Sequence, residues 1–363
     1  MQNIKLLTFH NANNYGAALQ AFALKEALKQ LKTKPQFVNY ENKKILSDYK
    51  LIRTNSLKSF ISSLWYLPRN LKRKKSFKSF SDKYLDTNSK VYSTHCQIEQ
   101  DIQSKDIFVA GSDQIWNPEL TGGLSDVYTL NFKNDVRKII YGASLGNEEL
   151  LEKNAQDFKN KLANLDYISV REKSIISPLE NITGKKVEQV VDPTLLLDID
   201  AWNKLISENE VVQLPCEKYI VVYTLFESEE VTKIANYLSQ VTDLKIVHFK
   251  KYNTYKNELT SLYSYGPVDF VNAIKNAAYV ITNSFHGTVF SLIFRKKFYS
   301  VLPKQRSGRI KDLLNSLDLN DRIIDDVKKI NLEDKIDYIK IEEEIKKIRN
   351  SSIEYLKKGI VNV

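Results

Sequence analysis

Short apolar runs that end in glycine or polar residues recur along the chain, and they constrain the fold more than any other feature. The runs cover residues 4–9, 107–110, 138–143, 167–170, 218–224, 244–249, 277–281 and 297–302. Amphipathic stretches such as residues 17–31 and 229–239 separate several of them. Because apolar runs that alternate with helices are typical of parallel sheets covered by helices, we predict an α/β protein.

The length of 363 residues exceeds what one ordinary core needs and indicates two domains. We predict an N-terminal Rossmann-like domain over residues 1–205, with a basic helical insertion at about 51–80. A C-terminal Rossmann-like domain is predicted over residues 216–330, after a linker within 200–217. Residues 331–363 are highly charged and helical in pattern, and this last helix could pack back on the N-terminal domain.

The formal net charge of +10 indicates anionic partners, such as phosphorylated metabolites, lipid phosphates or an anionic membrane. Nucleic acid is not expected, because no recognisable binding motif accompanies the charge. Cys96 and Cys216 lie far apart, which argues against a disulfide framework and against a CxxC zinc site. No apolar run of the sequence reaches the length of a membrane span. We therefore expect a cytoplasmic protein without a metal, which could act at the inner face of the cell membrane.

The predicted insertion at residues 51–80 interleaves aromatic and basic side chains. Trp65 and Tyr66 are followed by a cluster of lysines and arginines between residues 69 and 78. Such a segment can lie on an anionic membrane surface or bind a polyanionic acceptor. It can equally be a solvated pair of helices whose aromatic face packs on the domain.

His286 follows one of the apolar runs and precedes another, which is the position of functional residues in many α/β enzymes. Residues 277–281 predict a strand and residues 289–294 an apolar helix, so that His286 is expected on the loop between them. Gly287 would let a substrate approach the backbone, and the first amides of the helix favour an anion. A histidine there can transfer protons near neutral pH, or it can simply cap the helix.

Polar motifs follow other predicted strands as well, and together they resemble those of one protein family. The motifs are residues 13–21, 111–118, 141–146, 170–172, 192–194 and 281–287. In this order they resemble the polysaccharide pyruvyl transferase family. Each motif is short, but the set extends from residue 3 to about residue 322.

The resemblance implies a GT-B-like fold, in which two Rossmann-like domains face each other across a cleft. Members of this family move a pyruvyl group from phosphoenolpyruvate to two hydroxyls of a sugar, which forms a cyclic ketal and releases phosphate. It implies no metal or redox cofactor. The implied acceptor is a saccharide of a surface polysaccharide, often while it is attached to a lipid carrier.

The donor carries a carboxylate and a phosphate, so its pocket requires cations and oriented amides. Arg171 and Arg309 are the expected cations, together with Lys304 and Arg306. Some family members have an Arg-Leu-His run where this chain has a serine at position 284. We expect Ser284 or the basic residues after position 302 to replace the missing cation.

The resemblance also assigns roles in proton transfer and acceptor binding. His286 is expected to be the general acid and base, with Gly287 beside it. Asp113 would accept the hydroxyl proton or hold the acceptor diol, or it could be a turn cap. The expected residues of the substrate-binding loops are Asn14, Tyr15, Gly16, Ser112 and Trp116. Of these, Tyr15 and Trp116 could offer faces on which a pyranose stacks.

Two other functions fit the same sequence. A GT-B glycosyltransferase would bind a nucleotide sugar through a helix N-terminus and basic residues on the same fold. A carbohydrate-binding protein could keep the fold without the activity. The Ser284 to Gly287 loop and Arg171 favour an enzyme, because a protein without catalytic activity has no need of these residue types at strand ends.

Overall fold

The computed structural model describes residues 2–49, 51, 56–87, 89–133, 135–304 and 307–361. The chain divides into two compact units. Unit 1 comprises Met1–Lys50, Ser79–Leu197 and Lys346–Val363, and unit 2 comprises Leu51–Lys78 and Asp198–Ile345. The sequence places the insertion in the first domain, whereas residues 51–78 belong to unit 2. Unit 2 also begins at Asp198, within the stretch predicted to end the first domain at residue 205.

Unit 1 is built on a parallel six-stranded sheet. Its strands are β1 (Asn3–Leu7), β2 (Lys34–Phe37), β5 (Ile107–Asp113), β6 (Arg137–Ala143), β7 (Tyr167–Val170) and β8 (Val187–Gln189). They are ordered β2-β1-β5-β6-β7-β8, and a separate parallel pair consists of β3 (Asn39–Tyr40) and β4 (Val91–Tyr92). Both neighbours of β5 are parallel to it, which buries its apolar first half completely.

The helices of unit 1 follow its strands. They are α1 (Tyr15–Gln30), α2 (Lys43–Asp48), α5 (His95–Gln100), α6 (Pro118–Thr121), α7 (Glu149–Lys153), α8 (Ala155–Lys161) and α9 (Ile176–Thr183). Short 3₁₀ turns cover Lys173–Ile175 and Pro193–Leu195. Two longer helices, α4 (Leu67–Tyr84) and α15 (Tyr338–Val361), contribute residues to both units.

Unit 2 contains a parallel five-stranded sheet. Its strands are β9 (Ile220–Tyr223), β10 (Ile246–His248), β11 (Glu258–Ser261), β12 (Tyr279–Thr282) and β13 (Lys297–Ser300). They are ordered β11-β10-β9-β12-β13. The remaining helices are α3 (Leu57–Trp65), α10 (Ile199–Ser207), α11 (Glu229–Thr242), α12 (Pro267–Asn276), α13 (Phe285–Ile293) and α14 (Gly308–Ser316), with 3₁₀ turns at Asn320–Arg322 and Val327–Lys329.

The strand orders show where a ligand site is expected in each unit. Counted along the chain, the unit 2 strands have the order 3-2-1-4-5, so the winding direction reverses between β9 and β12. The six strands of unit 1 have the order 2-1-3-4-5-6, which reverses between β1 and β5. Open parallel sheets bind ligands at the carboxyl ends of the strands beside such a reversal. These are the ends that carry His286 and Asp113, respectively.

The α/β prediction is confirmed by the two parallel sheets. Among the described residues, no helix combines the length and the apolar composition that crossing a membrane requires.

Candidate active site

His286 lies in the first turn of α13, not on a loop. The predicted loop is too long, because α13 begins at Phe285, directly after the strand and a two-residue turn. Ser284 caps the helix: its hydroxyl accepts a hydrogen bond from the Gly287 amide at 3.5 Å. The His286 side chain is therefore held at the positive end of a helix and at the carboxyl end of β12.

Gly287 is required by the packing of α13 on its own strand. A Cβ atom at this position would lie 2.2 Å from the Thr282 Oγ1 atom. That hydroxyl donates to the Tyr223 carbonyl at 2.7 Å and accepts from the Ser284 amide at 3.0 Å, so it is fixed on both sides. The sequence predicted that Gly287 admits a substrate, but this helix–strand contact is sufficient reason for glycine here.

We expect Gly287→Ala to destabilise the protein by roughly 1–3 kcal/mol, because the new methyl group would force Thr282 and α13 apart. Urea denaturation followed by circular dichroism measures the loss. Gly266→Ala is the matched control, since its Cβ would meet the nearest atom at 3.4 Å, which is ordinary contact. Equal stability of the two variants would show that α13 does not pack on β12 as described.

Asn283 joins the two loops at the strand reversal of unit 2, and sequence reasoning gave it no role. Its side chain accepts from the Leu225 amide at 2.8 Å and donates to the Phe226 carbonyl at 2.9 Å. Both residues follow β9, and Phe226 is 44% exposed. An asparagine after a strand was the only sequence signal, and it does not reveal its partner. These two hydrogen bonds link the loop after β9 to the turn that precedes His286.

Arg309 lies close to the start of α13. Its guanidinium is 5.4 Å from the centre of the Phe285 ring, and the residue is 9% exposed. Arg309 itself stands in the first turn of α14. Lys304 is exposed, and Arg306 lies outside the described residues. Among the predicted cations within the described residues, Arg309 is thus the one that contacts the His286 helix.

The carboxyl ends of β5 and β7, the two strands that flank β6, carry a charged cluster in unit 1. Arg171 makes a buried ion pair with Asp192, and its Nη2 atom is 3.6 Å from the Asp113 Oδ1 atom. Burial lowers the pKa of the Arg171 guanidinium, but Asp192, Asp113 and Glu172 outweigh burial and raise that pKa. The guanidinium is thus placed to hold these carboxylates, and its contact with an anionic donor stays a prediction.

Glu172 belongs to the same cluster. It is buried, and its carboxylate accepts hydrogen bonds from the Ser144 hydroxyl and from the Gly146 amide at 3.4 Å. Asp192 is held in turn by Thr194, whose amide and hydroxyl donate to it at 3.0 and 2.7 Å. The residues of this network lie at the carboxyl ends of β5, β6, β7 and β8, which are neighbours in the sheet.

Residues 14–305 of this chain match the sequence profile of the polysaccharide pyruvyl transferases. The chain belongs to the polysaccharide pyruvyl transferase family. The family prediction and the expectation of an enzyme of this family are thereby confirmed. No curated protein sequence matches the chain significantly.

Solved structures place this pyruvyl transferase family member in a known fold. S. aureus MnaA, solved with UDP, is 14% identical, with a TM-score of 0.51 over 100% of this chain and 98% of that one. Methanocaldococcus jannaschii UDP-GlcNAc 2-epimerase, solved with UDP-GlcNAc and UDP, is 13% identical, with a TM-score of 0.50 over 99% of each chain. These similarities confirm the GT-B-like fold with two Rossmann-like units.

Several residues that the resemblance assigned to the acceptor are structural in this family member. Trp116 is fully buried; its indole donates to the Tyr128 carbonyl at 3.3 Å and its ring contacts Phe158 edge-on. Tyr15 is 1% exposed, and Gly16 is buried beside it in α1. The prediction that Trp116 offers a stacking face is wrong, because the core of unit 1 covers the ring.

Ser112 and Asn14 also make structural bonds. The Ser112 hydroxyl donates to the Gly142 carbonyl at 2.8 Å, and its amide donates to the Gln20 side chain at 3.2 Å. Asn14 caps α1 by accepting from the Ala17 amide at 3.1 Å. Both residues shape the loops at the strand reversal of unit 1. These bonds account for both residue types, and a contact of either residue with the acceptor stays a prediction.

One group of potential metal ligands occurs among the described residues. The ligand atoms of His95, Cys96 and Glu99 lie within 4.8 Å of one another on α5. Glu99 also accepts from the Lys133 amide at 2.7 Å. The group is partly exposed and precedes β5, so it does not belong to the strand ends described above.

Proposed function

We propose that the protein transfers the pyruvyl group of phosphoenolpyruvate to two hydroxyls of a sugar in a surface-polysaccharide precursor. The product is a cyclic ketal, and phosphate is released. Family membership supports the reaction class. The donor, the acceptor and a cytoplasmic location at the membrane are further parts of this proposal.

The observation that carries the proposal is the position of Arg309 over Phe285, next to His286 at the start of α13. A buried cation and the amides of a helix N-terminus favour one anionic ligand. Phosphoenolpyruvate has two anionic groups and a carbon that must be protonated. The same helix turn thus supplies anion binding and a proton donor.

The chemistry assigns His286 the first proton transfer. Protonation of the donor's methylene carbon by His286 makes C2 electrophilic, and a sugar hydroxyl then forms a bond to C2. The hydroxyl gives up its proton to a base. The second hydroxyl then attacks C2 and gives its proton to His286, which restores the acid, as the bond between C2 and the phosphate oxygen breaks. The ketal closes, and the released phosphate takes up the proton that the base had accepted.

Asp113 is the proposed base for the acceptor. Its Oδ1 atom accepts from the Gln114 amide at 2.9 Å and lies 3.6 Å from Arg171. These contacts orient the carboxylate. Arg171 is therefore proposed to position Asp113, a revision of its expected contact with the donor.

A nucleotide sugar is the alternative donor, because both structures named above were solved with UDP. Identities of 13–14% extend this likeness to the fold alone. The anion site at α13 would serve a diphosphate as well. A donor comparison is therefore part of the test.

The test incubates the protein with phosphoenolpyruvate and a panel of saccharides in deuterium oxide. We expect phosphate release that depends on the acceptor, and one deuterium in the methyl group of the ketal, as measured by mass spectrometry. Thermal shifts compare phosphoenolpyruvate with nucleotide sugars. If only a nucleotide sugar stabilises the protein and no product contains deuterium, the pyruvyl transferase assignment is wrong and a glycosyltransferase takes its place.

A further inference from the structure

The insertion concentrates most of the chain's excess positive charge. Residues 51–81 contain eight lysines and arginines and no aspartate or glutamate, whereas the whole chain carries a net charge of +10. Acidic residues make up 44 of the 363 positions, so a stretch of this length would ordinarily contain several. The segment therefore has a high density of positive charge and no acidic residue of its own.

One side of α4 is bound to unit 2. Arg69 donates to the Ser261 hydroxyl at 2.8 Å, and Arg73 donates to the Tyr263 carbonyl at 2.7 Å. The Arg73 guanidinium also lies 4.9 Å from the centre of the Tyr263 ring. These residues are four apart and share one helix face. This bound face fixes the orientation of the helix on unit 2.

The other side of α4 is exposed and basic. Leu71, Lys74, Lys75 and Lys78 are exposed, and their spacing of three, four and seven residues places them on a single face. Leu71 has 48% of its surface exposed. Three lysines and a leucine therefore point away from the bound face.

The preceding helix, α3, exposes three apolar residues in its second half, over residues 61–65, where its side chains are described. Ile61, Leu64 and Trp65 are 57%, 45% and 80% exposed, whereas Ser63 is 5% exposed. The spacing of the three apolar residues puts them on one face. An amphipathic helix in a globular protein normally buries that face. The exposed apolar face of residues 61–65 thus suits an apolar environment outside the protein.

We infer that the outer face of α3 and α4, formed by Ile61, Leu64, Trp65, Leu71, Lys74, Lys75 and Lys78, binds the surface of an anionic lipid bilayer. The apolar side chains enter the boundary between headgroups and acyl chains, and the lysines contact the lipid phosphates. A soluble polyanion would use the lysines but would leave Trp65 and its apolar neighbours in water. The exposed apolar residues therefore favour the bilayer.

The chain provides a direct probe of this contact. Its three tryptophans are Trp65, which is 80% exposed, and Trp116 and Trp202, which are fully buried. With phosphatidylcholine vesicles that contain phosphatidylglycerol, we expect sedimentation of the protein and a blue shift of its tryptophan emission. Brominated lipids should quench the shifted component. The binding should weaken as salt rises, because the lysine contacts are screened.

Two pairs of variants test the face. Ile61→Ser with Trp65→Ser, and Lys74→Glu with Lys75→Glu, should each lower the partition coefficient by about tenfold or more. The controls are Ile339→Ser, at a residue 78% exposed on α15, and Lys153→Glu with Lys159→Glu, which change the net charge equally. We expect both controls to bind as the unmodified protein does.

The inference is overturned if the protein does not sediment with anionic vesicles at low salt. It is also overturned if the test variants bind like their controls, or if heparin binds the protein while vesicles leave the tryptophan emission unchanged. The last result would assign the lysines to a polyanionic acceptor. No substrate is present in these measurements, so they are independent of the proposed reaction.

Discussion

Replacing His286 with glutamine should lower kcat for acceptor-dependent phosphate release by about 10²–10⁴-fold. Glutamine retains a polar group of similar reach but cannot protonate the donor's methylene carbon. Binding of phosphoenolpyruvate should change little, because the α13 amides and Arg309 remain. Phosphate release under steady-state conditions gives kcat, and a thermal shift with phosphoenolpyruvate reports binding.

His95→Gln is the matched control for this experiment. His95 lies on α5 in unit 1 and should leave kcat unaltered. Arg309→Gln gives the opposite pattern, since the loss of a cation at the anion site should raise KM for the donor more than it lowers kcat. Full turnover in His286→Gln would remove His286 from the chemistry, whatever the effect of Arg309.

Strong apolar runs predicted the interior strands of both sheets, with bounds that differ from the observed ones by at most three residues. The run at 167–170 is β7, and the run at 138–143 differs from β6 by one residue at its start. Two edge strands were missed. β11 has the sequence Glu-Leu-Thr-Ser and β8 is three residues long, so neither has an apolar pattern. Each of these two strands has a single neighbour in the sheet and requires less apolar surface, which explains why periodicity does not reveal it, whereas the edge strand β13 lies within a predicted apolar run.

The candidate site could be predicted in part. The order of the polar motifs indicated that strand ends meet, because carboxyl ends of parallel strands share one edge of a sheet. Trp116 shows where this reasoning fails: an aromatic residue in a polar loop has the same pattern whether its ring faces solvent or the core. The start of α13 was placed too late, since Phe285 and His286 continue a helix that the Ser284 cap already begins.

The unit to which the insertion belongs depends on contacts that local sequence does not contain. Arg69 and Arg73 bind residues 261 and 263, about 190 positions away. Chain order alone favoured the first domain, because the insertion interrupts it. Long-range pairs of this kind have no local signature.

The network around Arg171 yields the largest expected effect on stability. Arg171→Met should destabilise the protein by about 3–5 kcal/mol, because it leaves buried carboxylates without their cation. The side chains of Arg171 and Asp192 are 3% and 0% exposed, so solvent cannot replace the missing charge. Arg295→Met is the matched control, since its pair with Glu342 is about half exposed and should cost at most about 1 kcal/mol. Urea denaturation measures both.

The double variant Arg171→Met with Asp192→Asn separates the ion pair from the packing of the side chains. If Arg171 mainly neutralises Asp192, removal of the carboxylate charge should recover part of the loss, and the two effects should not add. Additive losses would instead show that each side chain acts through other contacts.

Measurements of activity distinguish the two possible roles of Arg171. Arg171→Lys keeps the charge but lacks the planar guanidinium that reaches two carboxylates. If Arg171 positions Asp113, this variant should have a lower kcat. If Arg171 binds the donor, the variant should instead have a higher KM for phosphoenolpyruvate.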